Sequence, residues 1–138
     1  MQALPKSEAA LLELLKDPQW RIRNLYKVKD KQKRIVPFVP NESQEMLLRT
    51  MHWRNIIPKA RQRGFSTVIQ LLALDTALWM PGSDAGIIAQ DLPTAMEIFD
   101  SKIKLAYDNL PPIIREMVGI KSDTKTGMEL TNGSKIRV

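Results

Sequence analysis

The chain has 138 residues, and its 21 Lys plus Arg against 15 Asp plus Glu give a net charge of +6 at pH 7. The absence of cysteine excludes disulfides and thiol-based metal sites, and a single histidine, His52, argues against structural zinc. No apolar run reaches the ~18 residues that a membrane span needs, and Lys6, Glu8 and Glu13 among the leading leucines do not make a signal peptide. The length fits one domain, and a composition 43% hydrophobic and 26% charged is that of a globular protein with the cytoplasm as default location. The positive surplus favours an anionic partner such as nucleotide or nucleic acid.

Residues 4–16 read as an amphipathic lead helix, with Leu4, Glu8, Leu11, Leu12 and Leu15 at helical spacing, Ser7 as its cap and Asp17-Pro18 as its stop. Residues 20–38 read as a β-hairpin, in which Leu25, Tyr26, Val28, Ile35, Val36 and Phe38 flank the turn Asp30-Lys31-Gln32-Lys33. Lys27, Lys29, Lys31, Lys33 and Arg34 then form a solvated tip with gatekeeper lysines. Asn41 and Gln44, three residues apart, are close to a capping box opening a helix that runs to about Met51 or Trp53. Ile56-Ile57 reads as a short buried strand. Residues 66–79 read as a helix apolar on nearly all sides, hence buried, and Met80-Pro81-Gly82 ends it.

Residues 85–90 give a second short strand. A helix from Leu92 to about Asn109 follows, with Met96, Phe99, Ile103 and Ala106 as its apolar stripe, and Pro111-Pro112 closes it. Residues 121–127 read as loop. Residues 128–138 form a hairpin around Asn132-Gly133, the strongest short hairpin signal. Trp20, Trp53 and Trp79, with apolar neighbours, read as core or interface anchors. The order is lead helix, hairpin, β–loop–α–β–α unit, terminal hairpin. It predicts an α/β fold with a parallel sheet flanked by helices and peripheral β-hairpins.

The chemistry concentrates in residues 55–67, Asn-Ile-Ile-Pro-Lys-Ala-Arg-Gln-Arg-Gly-Phe-Ser-Thr. Strand, glycine turn, then helix is the layout of a phosphate-binding loop, where N–H groups at a helix N-terminus point at the anion. Ser66 or Thr67 would ligate Mg²⁺. The standard pattern places a lysine after the second glycine, but Phe65 stands there and Lys59 occupies the place of the first glycine. Two readings stand: a phosphate loop with a displaced lysine, or a basic surface turn before a core helix. Beyond this stretch there is no nucleophile–base pair and no metal-ligand cluster in the sequence.

Residues 20–138 resemble the N-terminal part of the ATPase domain of a tailed-phage terminase large subunit, the DNA-packaging motor. The resemblance is carried by Lys59–Thr67, by the Phe38…Asn41…Gln44 run and by the Leu130–Ile136 hairpin. It implies a partial P-loop NTPase fold of the RecA/ASCE type, with residues 1–19 as a lead helix, and ATP with Mg²⁺ as ligands. Lys59 would be the dominant phosphate contact, Arg61 second and a γ-phosphate sensor. Gln62, Arg63, Gly64, Phe65, Ser66 and Thr67 would complete the loop, with Ser66 reaching the metal and Gln44 reading the adenine.

The resemblance also implies double-stranded DNA, a small subunit and a portal as partners of a full-length motor in the cytoplasm of a bacterial host. The paired acids that bind Mg²⁺ and activate water, and the family's nuclease region, have no counterpart before Val138. The expectation is therefore a fragment with little or no hydrolysis, low stability and a tendency to self-associate. The alternatives are a small basic DNA-binding module, or a structural remnant, without a nucleotide site.

Overall fold

In the structure, a computed structural model that describes residues 3–57 and 64–138, the lead helix α1 spans Glu8–Leu15. It buries Leu11 and Leu15, one turn apart, and exposes Leu12. Ser7 holds the N-cap position without a side-chain capping bond. Asp17-Pro18 both stops α1 and starts a second helix, α2 (Pro18–Asn24). The Asp17 carboxylate accepts from the Gln19 N–H at 2.9 Å, and Pro18 sits at the first helical position, where its fixed φ suits the turn. The hairpin therefore begins later than residue 20. Its strands, β1 (Lys27–Lys29) and β2 (Ile35–Pro37), pair antiparallel with Val28 opposite Val36. Asp30 organises the turn by accepting from the N–H groups of Gln32 and Arg34 and pairing with the Arg34 guanidinium. The four lysines of the hairpin are exposed.

The capping box at Asn41 is complete. Asn41 Oδ1 accepts from the Gln44 N–H and Gln44 Oε1 accepts from the Asn41 N–H, each at 2.9 Å, opening α3 (Glu42–Thr50). Ile56-Ile57 is a correction. No strand forms there among the described residues, and Ile56 is 96% exposed. Two β-branched residues become a strand only beside a ladder partner, and no described segment supplies one. The buried helix is as expected: α4 (Phe65–Trp79) buries Val68, Leu71, Leu74, Ala77 and Leu78 on more than one face.

After α4 come β3 (Asp84–Gly86) and a long helical rod: α5 (Leu92–Ile98), a π-helical turn at Phe99–Lys104, and α6 (Leu105–Asp108). Phe99, Ile103 and Ala106 of the expected stripe are buried. Pro112 starts a short helix, α7 (Pro112–Met117), instead of only closing the rod. The expected loop at 121–127 contains β4 (Ile120–Thr124), which pairs antiparallel with β5 (Gly127–Leu130). β4 is polar and exposed, so its ladder holds it in place of a buried face, and no alternation marks it in the sequence. β6 (Lys135–Arg137) pairs antiparallel with β5 and parallel with β3, giving the order β3–β6–β5–β4. The fold is mixed α/β with a mixed sheet. The expected parallel sheet with peripheral hairpins is reduced to one parallel pair, β3–β6, and the terminal hairpin lies in the same sheet as that pair. Gly127 (φ +156°) lies so close to β6 that a Cβ would run into the Ile136 carbonyl oxygen.

Candidate phosphate-binding end of helix α4

Gly64 begins α4 in the left-handed region, φ +74°, the conformation that a tight glycine turn into a helix requires. Its carbonyl accepts from the Val68 N–H at 3.3 Å, the first bond of the helical ladder. The N–H groups of Phe65, Ser66 and Thr67 therefore stand outside that ladder, at the positive end of the helix dipole. Among the described residues no side chain caps this end, and its first turn carries no acid, whereas α2, α3 and α5 carry side-chain caps from Asp17, Asn41 and Asp91. Ser66 is exposed, Thr67 half-buried, and Phe65 packs its ring against the core. The expected phosphate-contacting residues Lys59, Arg61, Gln62 and Arg63 lie outside the described residues.

Gln44 is brought to the same place. Its Nε2 donates to the Gly64 carbonyl at 2.8 Å, tying the start of α3 to the start of α4 across twenty residues of sequence. Sequence spacing supplies the capping box but gives no signal for this second bond. α3 is itself held to α2: Arg23 Nε and Nη2 donate to the Glu45 carboxylate at 2.9 and 2.7 Å, and Gln19 Nε2 donates to the Leu48 carbonyl at 3.3 Å. The Arg23 hydrogen bond and charge hold the Glu45 carboxyl below its ordinary pKa. Beside this junction, Met46 and Leu47 of α3, with Ile57 and Phe65, line a shallow cleft of about 380 Å³. Roomier clefts lie along the π-helical turn and between α1 and the end of α4.

Of the two anchoring roles expected for Trp53, core or interface, the core one is excluded. The residue is 76% exposed, with the Arg54 guanidinium 4.4 Å above its ring. Among the described residues no group of three His, Cys, Asp or Glu comes together as a metal site.

The opposite end of α4 carries a buried ionic cluster that sequence reading missed. Arg21 Nε and Nη2 donate to Asp75 at 2.9 and 2.8 Å, Arg21 Nη1 donates to the Leu15 carbonyl at 2.7 Å, and the Tyr26 hydroxyl donates to Asp75 Oδ1 at 2.6 Å. The guanidinium also lies 4.8 Å over the Trp79 ring. Burial pushes the Tyr26 phenol well above its ordinary pKa, and the Asp75 charge adds to the shift. The turn of the terminal hairpin caps the same end, since Asn132 Nδ2 donates to the carbonyls of Ala77 and Leu78 at 2.9 and 3.2 Å.

Compared with models of known protein families and with curated proteins, the chain matches none.

Proposed function

We propose that the chain binds the polyphosphate of Mg²⁺-ATP at the start of α4, as the nucleotide-contacting part of a terminase-like P-loop motor domain. The observation that carries this reading is the junction at Gly64. A left-handed glycine opens a long buried helix, the N–H groups of its first three residues lie outside the helical ladder, and a glutamine from the preceding helix holds its carbonyl. The resemblance of Lys59–Thr67 to the deviant terminase loop supplies the rest: Lys59 and Arg61 neutralise the phosphates, and the Ser66 hydroxyl, exposed on the first turn, reaches the metal. With no acidic metal site among the described residues, Mg²⁺ arrives with its nucleotide. DNA, a small subunit and a portal belong to this proposal as partners of a full-length motor.

The test is calorimetric titration of Mg²⁺-ATP into the parent chain and two alanine variants. Lys59→Ala weakens binding about tenfold or more, since a charge-assisted hydrogen bond is worth roughly 1.5–3 kcal/mol. Arg63→Ala changes it little. Equal binding by the parent and Lys59→Ala, with loss in Arg63→Ala, contradicts the displaced-lysine loop. A parent that binds no nucleotide at millimolar concentration contradicts the whole reading.

A further inference from the structure

We infer that Gln44 is a positioning residue for the phosphate-binding turn and does not read the base, an inference that rests on the polyphosphate reading above. The glutamine has one amide, and both of its polar atoms are engaged by protein. Oε1 accepts from the Asn41 N–H at 2.9 Å and Nε2 donates to the Gly64 carbonyl at 2.8 Å. Recognising an adenine edge takes a donor and an acceptor presented together. Here the oxygen faces the cap of α3 and one of the two N–H groups faces the turn; the residue is 5% exposed, and that burial leaves the rest of the amide no open edge.

Gly64 is matched to this contact. A Cβ at that position would lie 2.6 Å from Gln44 Nε2, on a backbone whose φ of +74° already disfavours any side chain. The bond therefore fixes the peptide that joins Gly64 to Phe65, whose N–H is the first of the three donors of α4 that lie outside the helical ladder. Gln44 is in turn braced from behind, because the Arg23–Glu45 pair holds α3 against α2. Through Gly64, Gln44 orients the donors that meet the phosphates. Its contribution is the same whatever base the nucleotide carries.

Comparing Mg²⁺-ATP with Mg²⁺-tripolyphosphate, which has phosphates and no base, tests this in the parent, Gln44→Ala and Gly64→Ala. Circular dichroism confirms that each variant keeps its helices. The expected result is that both ligands bind the parent and that each variant loses affinity for both by the same factor, roughly five- to tenfold. Gly64→Ala breaks the same contact from the other side, so the inference stays testable if Gln44→Ala does not fold. A loss confined to ATP, no loss for either ligand, or a parent that binds ATP but not tripolyphosphate overturns the positioning role and leaves nucleotide binding standing. A parent that binds neither ligand overturns the polyphosphate reading, and this inference with it.

Discussion

The C-terminal end of α4 receives side chains from two distant parts of the chain, Arg21 and Tyr26 on Asp75 from the N-terminal third and Asn132 on the last carbonyls from the final hairpin. Its N-terminal end receives one such bond among the described residues, from Gln44, and the N–H groups of its first three residues lie outside the helical ladder. The surroundings differ in the same sense. Asp75 and Arg21 are almost fully buried, whereas Met46 on α3 and Ile56 in the segment before the helix are largely exposed. One helix thus separates two tasks. Free energy of folding concentrates where side chains satisfy its polar groups, and under the proposed function the other end is left to the ligand, so a loop change at Gly64 would alter binding without unfolding the chain.

The largest effect that would break this division is at Asp75. Asp75→Ala leaves the Arg21 guanidinium buried without its carboxylate and lowers unfolding free energy by about 3–5 kcal/mol, measured by urea denaturation. The double change Arg21→Met with Asp75→Leu recovers most of that loss. If Asp75→Ala unfolds at the parent's midpoint, the clamp is not where stability lies.

Tyr26 sharpens the same point through pH. Its folded pKa is raised by burial, so an unfolded tyrosine gives up its proton near pH 10 while the folded one keeps it. The stabilisation is complete below pH 10 and falls as pH rises toward the folded pKa, by up to about 1.4 kcal/mol per unit. Tyr26→Phe flattens this alkaline limb in thermal melts taken between pH 9 and 11. A residual slope remains from Tyr107, which burial also raises.

A smaller loss is expected at the hairpin cap. Asn132→Ala removes two bonds to the end of α4 and costs about 1–2 kcal/mol of stability with nucleotide affinity unchanged. The smallest stability effect, and of opposite sign, belongs to the open end. Ser66→Asp places an acid in the first turn of α4 and raises stability by about 0.3–1 kcal/mol, while repelling phosphate. A variant that gains stability and still binds Mg²⁺-ATP like the parent would show that the ligand does not meet this helix end.

What the sequence made legible follows from range. α4 announced itself by being apolar all round, the Asn41 and Gln44 pair by its three-residue spacing, and the terminal hairpin by Asn132-Gly133, because each signal is local. Ile56-Ile57 looked like a strand by composition, yet a strand exists only in its ladder. Trp20-Arg21-Ile22-Arg23 alternates as a strand would, but Asp17-Pro18 in front of it is a helix start and Arg21 turns inward to Asp75. β4 carried no pattern because an exposed edge needs none. The Arg21–Asp75 pair, 54 residues apart, and the Gln44–Gly64 bond, 20 apart, are products of the tertiary fold and have no local signature. The phosphate reading of Ser66 and Thr67 rests on a local motif, and the Gln44–Gly64 brace beside them has no such motif.

The most direct test of the division is backbone amide NMR during titration with Mg²⁺-ATP. The account predicts that the resonances of Gly64, Phe65, Ser66 and Thr67, with the Gln44 side-chain amide, shift first and furthest, while those of Asp75–Trp79 and Asn132 stay in place. Shifts confined to the exposed lysines of the β1–β2 hairpin, or centred on the Asp75 end of α4, would contradict it.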